Sequence, residues 1–312
     1  RVGDYGEART RYSKRRFPMR AFEGAERYSP EERLRREIPI LGATDAEVQA
    51  LYPTSMREAE RLRDAFDRLE TYCTFIGYPR SGHSIMGSLL DAHPHIIIAH
   101  ELDTIRFLEA GFSAGQLYCL LLENSRLFTQ HGRKWGPYSY AVADQHQGRY
   151  TELKVIGDNK GGRTTSRIGR NWQLLAQLCD TVRLNHRFVH VIRNPFDNIA
   201  TLATRQTRDV ARAVEQYFFM CRTNQRMREE LQSQVMDLHH EDFVRDPVAW
   251  LARLCEFVGV LADEPYLNAC AAIVYRIPHK SRHEIAWPPG TRDIIEREKD
   301  KYDFLRRYSF DD

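Results

Sequence analysis

Tyr72-Cys73-Thr74-Phe75-Ile76-Gly77 runs into Tyr78-Pro79-Arg80-Ser81-Gly82-His83-Ser84, and that into Ile85-Met86-Gly87-Ser88-Leu89-Leu90. The first segment is a compact apolar run with aromatic and β-branched side chains, as expected of a strand covered on both faces in a parallel sheet. The second is a Pro/Gly turn. The third reads as a helix that His93-Pro94 closes, because a residue preceding proline is pushed out of the helical region. Strand, tight turn and helix in direct succession point to an α/β chain.

The neighbouring sequence repeats this alternation. His95–Ala99, Leu153–Gly157, Phe188–Ile192 and Val235–Leu238 read as further buried strands. Helical patterns at Thr104–Glu109, Gly115–Leu122, Ile168–Cys179, Val210–Leu231 and Val248–Val258 separate them. The expectation is a doubly wound parallel sheet of about five strands, flanked by helices and joined by right-handed crossovers, in a single domain. Met56, Ala59, Leu62, Phe66 and Leu69 recur at helical spacing behind Thr54-Ser55, predicting one amphipathic helix. With the polar, Arg-rich residues 1 to about 40, it forms an N-terminal segment 1–70 packed on a domain 71–312. That arm suits a path over the domain or over a partner subunit, so a homodimer is compatible.

Composition narrows the function. A length of 312 residues is enough for a sizeable core without staples. The formal charge of +3 is too mild to argue for nucleic acid, and no apolar run approaches the roughly 18 residues of a membrane span. Seven of the 46 basic residues are Lys and the rest Arg, a bias that a GC-rich genome or a polyanionic ligand would explain. The six cysteines are scattered, with no Cys/His spacing for zinc, which favours a reducing, cytoplasmic setting. No signal peptide is evident, although the chain starts at Arg1.

Gly77-x-x-x-x-Gly82-His83-Ser84 has the spacing of the phosphate loop G-x-x-x-x-G-K-[ST], with His in place of Lys. Such a loop aims backbone N–H groups at an anion. Gly82 permits close approach, Ser84 offers a hydroxyl at the helix start, and Arg80 offers charge from within the turn. The missing Lys argues against ATP, whose β- and γ-phosphates it would span beside Mg²⁺. A chance turn between strand and helix is the plain alternative.

Pro79-Arg80-Ser81-Gly82-His83-Ser84 resembles the 5′-phosphosulfate loop of sulfotransferases that use 3′-phosphoadenosine 5′-phosphosulfate (PAPS), P-[KR]-S-G-[ST]-[ST]. His83 departs from the Thr usual there; it would bind phosphate, shuttle a proton or simply pack. Leu89-Leu90-Asp91-Ala92-His93-Pro94 is similar to the L-L-x-x-H-P of tyrosylprotein and many bacterial members. Arg193-Asn194-Pro195, with Thr201 eight positions after Arg193, looks like the 3′-phosphate motif R-[DN]-P-x-x-x-x-x-S. His240-Glu241-Asp242-Phe243 resembles the family's Y-E-D-L, with His240 replacing Tyr.

The resemblance implies sulfuryl transfer from PAPS to a hydroxyl or amine of a small molecule, glycan or peptide. Adenosine 3′,5′-bisphosphate would be left, and no metal is needed. Arg80, Ser81, Gly82, His83 and Ser84 would hold the 5′ end, and Arg193 and Thr201 the 3′-phosphate. A base should come from the end of a strand beside the loop. Glu101 is the first choice, matching the Glu after this strand in relatives. His100 is the rival, being apt near neutral pH, and Asp158 the third candidate. Gly157-Asp158-Asn159-Lys160 is similar to G-[DE]-K-[ST]-P, which implies a contact from Lys160 to the sulfuryl or bridging oxygen. Lys280 and Arg282 have the charge of the basic C-terminal loop of cytosolic members, but an ordinary solvated loop fits them better. The aromatic-rich stretch from Gly111 to Arg149 has the character of an acceptor pocket. Alternatives are a P-loop kinase or NTPase, and a catalytically inactive nucleotide-binding relative.

Overall fold

The computed structural model describes residues 44–312 except 136, 208, 276 and 278. The expected basic arm lies outside the described residues. Three helices come first: α1 (Asp45–Ala50), α2 (Tyr52–Arg61) and α3 (Arg63–Phe66). The single helix expected over 56–69 is therefore divided, with a break at Leu62. Its apolar face also differs. Met56 is 55% exposed, while Val48, Leu51, Leu62 and Phe66 enter the core. The helix begins at Tyr52 with Pro53 in its first turn, where the missing N–H costs nothing.

The main sheet follows the predicted order closely. β1 (Thr71–Gly77) leads through the glycine loop into α4 (His83–Leu90), then β2 (Ile96–Ala99), α5 (Thr104–Glu109) and the long α6 (Ala114–Gln130). A small antiparallel hairpin, β3 (Lys134–Trp135) and β4 (Tyr138–Ser139), intervenes before β5 (Val155–Asp158). Next come α7 (Gly161–Arg170) and α8 (Gln173–Thr181), which replace the one helix expected over 168–179. β6 (Asn185–Ile192), α9 (Pro195–Leu202), α10 (Val210–Leu231) and β7 (Val235–His239) complete the sheet. α11 (His240–Arg245), α12 (Pro247–Phe257), α13 (Glu264–Ala271) and α14 (Thr291–Lys299) close the chain.

The five-stranded sheet has the order β2-β5-β1-β6-β7, and every pairing in it is parallel. β1 is central, and all its residues are buried. Its side chains alternate between two apolar layers. Tyr72 and Ile76 join the cluster of α5, α6 and α8, and Cys73 and Phe75 join that of α4, α12 and α13. Full burial of Phe75 contributes about 1.5–3 kcal/mol, so helices on both faces hold the central strand, and with it the loop. A third cluster, with Tyr78, Ile192, Phe196 and Tyr217, lies at the end of β1 where the loop starts. Crevices at the carboxyl ends of such sheets are the usual ligand sites, and β1 is the strand at which the winding reverses. Among the described residues no helix is long and apolar enough to cross a membrane.

Candidate active site

The loop after β1 holds its shape through internal bonds. Ser81 donates from N and Oγ to the Tyr78 carbonyl at 3.3 and 2.8 Å. Arg80 sits at φ +70°, an uncommon conformation for a residue with a side chain, and its side chain is exposed. Gly82 has φ +104°, and a Cβ there would lie 2.5 Å from the His240 ring. Gly82 precedes α4, which no side chain caps. The first-turn N–H groups of that helix therefore face the mouth of the loop as ready anion donors.

Two expected loop ligands are placed differently. The Ser81 hydroxyl is fully buried and engaged by Tyr78 and Asn198, so it fixes the turn and does not face an anion. The His83 ring points inward, with Nε2 3.2 Å from the Ile76 carbonyl and its face edge-on to Phe75. Burial drives its pKa down to about 4, so it is neutral near pH 7. A Cβ on Gly161 would lie 2.2 Å from His83 Nε2, and one on Gly162 2.5 Å from Pro79 Cδ. The glycines opening α7 thus make room for the His83 ring and for Pro79. Of the roles open to His83, the structure shows packing, with its backbone N–H left at the helix start.

On the β2 and β5 side, Lys160 Nζ lies 2.5 Å from Glu101 Oε2, and Ser84 Oγ donates to Glu101 Oε1 at 3.3 Å. Glu101 also has positive φ, at +56°, and its N–H donates to Asn159 Oδ1 at 2.8 Å. Asn159 packs against Gly87 of α4, so it joins the ends of β2 and β5 to that helix. Burial works to raise the Glu101 carboxyl, but the Lys160 ammonium, with smaller contributions from His100 and His83, outweighs it and holds the pKa at about 2. Asp158 has no comparable freedom. Its oxygens accept from the N–H groups of Leu102, Thr104 and Lys160 and from the Thr104 hydroxyl. Burial raises its pKa to about 6. His100 is 1% exposed and stacked on Phe128 at 3.9 Å, its ring nitrogens without hydrogen-bond partners. Burial lowers its pKa to about 3. Asp158 is therefore a brace, and the His100 ring is walled off from solvent.

On the β6 side, Arg193 donates to the carbonyls of Arg80, at 3.2 Å, and His279, while its Nε is buried without a partner. Thr201 Oγ1 donates to the Asp197 carbonyl at 2.8 Å and lies 2.9 Å from Ser281 Oγ. Reading the C-terminal stretch as a solvated loop needs correction. Ser281 and Arg282 are 6% and 2% exposed, and Arg282 is paired with Asp197 at 2.8 Å. Lys280 is the exposed member, donating to the Asp312 carbonyl. The His240 ring fills the space between Gly82 and Arg193.

Sequence reasoning missed Asn198, Ser281 and Tyr140. Asn198 follows Arg193 within the quoted motif, so its position was available but its partners were not. Tyr140 stands after β4, its ring 5.9 Å from that of His100, and burial together with the nearby Glu101 charge raises its hydroxyl pKa to about 12.

A glycine loop with one cationic corner on β5 and another on β6, at the carboxyl edge of a parallel sheet, has the build of an α/β protein that takes a ligand charged at both ends. The particular family follows from comparison: residues 74–264 match the model of the Sulfotransferase family, and the chain belongs to that family. It is a PAPS-dependent sulfotransferase, and nothing favours the kinase alternative. Similar solved structures include the sulfotransferase domain of the Synechococcus PCC 7002 olefin synthase, at 20% identity over 72% of this chain and 82% of that one, with a TM-score of 0.42. Sulfotransferase STF9 from Mycobacterium avium is similar at 12% identity, covering 80% and 81%, with a TM-score of 0.47. A sulfotransferase from Alicyclobacillus acidocaldarius shares 14% identity over 78% and 97%, with a TM-score of 0.44. No curated protein matches in sequence.

Proposed function

We propose that Glu101 is the base of this sulfotransferase and Lys160 its partner at the leaving oxygen. The observation that carries this is the Lys160–Glu101 pair beside Ser84, at the mouth of the loop. Arg80 and the N–H groups of Gly82, His83 and Ser84 hold the 5′-phosphosulfate. Arg193 and Thr201, joined by Ser281, take the 3′-phosphate, for which the unpartnered Arg193 Nε is a waiting donor. The acceptor oxygen attacks sulfur in line, and the bond from sulfur to the 5′-phosphate oxygen breaks with its electrons on that oxygen. The acceptor proton passes to Glu101. Arg80, Lys160 and the loop N–H groups take up the developing charge, so the transfer in this reading calls on no metal. The acceptor is a hydroxyl, or an amine, of a small molecule, glycan or peptide. The partition into an N-terminal segment 1–70 and a domain 71–312 belongs to the same reading, supported by a family match that begins at residue 74.

Calorimetry with adenosine 3′,5′-bisphosphate and ATP tests it. The bisphosphate is expected to bind at least tenfold more tightly than ATP. Arg193→Met should abolish that preference. Equal affinities in the native protein would sink the assignment of the 3′-phosphate corner.

A further inference from the structure

The hairpin β3–β4 and the turn after it are held firmly against the catalytic side. Arg133, at φ +51°, is 1% exposed and donates to Asp91 Oδ2 at 2.8 Å. Asp91 also accepts from the Ser125 hydroxyl at 2.7 Å and from the N–H groups of Ile98 and Gly148 at 2.7 and 3.1 Å. The Arg133 guanidinium lies 4.8 Å from the Phe128 ring centre, and its carbonyl accepts the Tyr140 N–H at 2.9 Å. Gln147 then donates to the Tyr140 carbonyl at 2.8 Å. A buried, multiply bonded ion pair thus clamps both ends of the segment, which stands as a built wall.

Its aromatic side chains are layered inward. Trp135 and Tyr140 lie 5.1 and 5.9 Å from the buried His100 ring, and Tyr138 lies 6.3 Å outside Tyr140 and is 45% exposed. The Tyr140 ring thus stands beside His100, the residue that precedes Glu101, and the Glu101 carboxylate is bonded to the Ser84 hydroxyl. Tyr140 therefore stands between the residue preceding Glu101 and the exposed Tyr138 ring.

We infer that this hairpin is the acceptor wall, that Tyr140 is the residue positioning the acceptor hydroxyl beside Glu101, and that Tyr138 receives a flat apolar face of the acceptor. Such a face is an aromatic ring or the C–H face of a sugar. The inference rests on the proposed base, Glu101. Aromatic rings suit either face, and stacking geometry contributes about 0.5–1.5 kcal/mol beyond burial.

PAPS turnover with 4-nitrophenol and with methyl β-glucoside, alongside calorimetry with adenosine 3′,5′-bisphosphate, tests it. The native enzyme is expected to sulfate at least one probe, and the successful arm names the source of the flat face. Tyr140→Phe should lower kcat about tenfold with KM within twofold. Tyr140→Ala should raise acceptor KM at least tenfold, and Tyr138→Ala about threefold. Bisphosphate affinity should stay within twofold in all of them, which also shows that the variants fold. Turnover by both Tyr140 variants within twofold of native would overturn the inference, as would sulfation of neither probe by a native enzyme that binds the bisphosphate. Absence of bisphosphate binding would instead bring down the assigned donor site.

Discussion

The side-chain amide of Asn198 donates to Ser81 Oγ at 2.9 Å and to the neighbouring Pro79 carbonyl at 3.1 Å. With the Arg193 bond to the Arg80 carbonyl, it ties the helix after β6 to the loop after β1. The two motifs that lie far apart in sequence are one hydrogen-bonded unit.

Asn198→Ala removes both donations inside the fold, each worth roughly 0.5–1.5 kcal/mol. The loop should lose its set shape, and the dissociation constant for adenosine 3′,5′-bisphosphate should rise about tenfold by calorimetry. Unchanged affinity would mean that the loop keeps its form without the bridge.

Glu101→Gln keeps shape and removes the base. Single-turnover measurements with PAPS and an acceptor that the native enzyme sulfates should show a rate roughly 10²–10⁴-fold lower, the usual contribution of a positioned base. His100→Asn, by contrast, is expected to leave the pH profile unaltered, because the ring is buried and already neutral near pH 7. A larger loss in His100→Asn than in Glu101→Gln would reverse the assignment.

Lys160→Met gives a signed pH effect. Native Glu101, held at about 2, is a carboxylate throughout the neutral range, so it adds no acid limb to kcat/KM between pH 5 and 8. A base is lost as pH falls through its pKa. Without the ammonium, burial is the largest remaining influence on the carboxyl and raises its pKa, so an acid limb should move up towards neutrality. A flat profile in the variant would contradict the pairing.

Gly161→Ala forces a methyl group against the His83 ring, and overpacking of this kind costs typically 1–3 kcal/mol. Denaturant unfolding should show that loss. The double variant Gly161→Ala with His83→Ala should recover part of it, since the two positions share one volume. Strict additivity would show that the ring and the glycine are not coupled.

Much of the scaffold is legible in the sequence, because strands of a parallel sheet are local apolar runs and turns carry their own residues. All five strand positions and the loop lie where that reading puts them, with Glu101, Lys160 and Arg193 just past the ends of β2, β5 and β6. The errors come from tertiary packing. The Ser81 hydroxyl turns inward because Asn198 meets it from another helix. His83 looks like a phosphate ligand until Gly161 and Gly162, far along the chain, open the space that receives its ring. Ser281 and Arg282 read as solvated because nothing local reveals that Asp197 and Thr201 bind them. Met56 matches a helical stripe but lies on a helix whose register is set by Tyr52 and Pro53.

The strand order β2-β5-β1-β6-β7 puts the Glu101–Lys160 pair and the hairpin on one flank of β1, and Arg193, Thr201 and Ser281 on the other. Divergence of this chain is thereby modular. On the proposed roles, changes confined to the hairpin redirect what becomes sulfated while the Glu101–Lys160 pair and the β6 corner persist, and a descendant could acquire a new product without relearning its co-substrate.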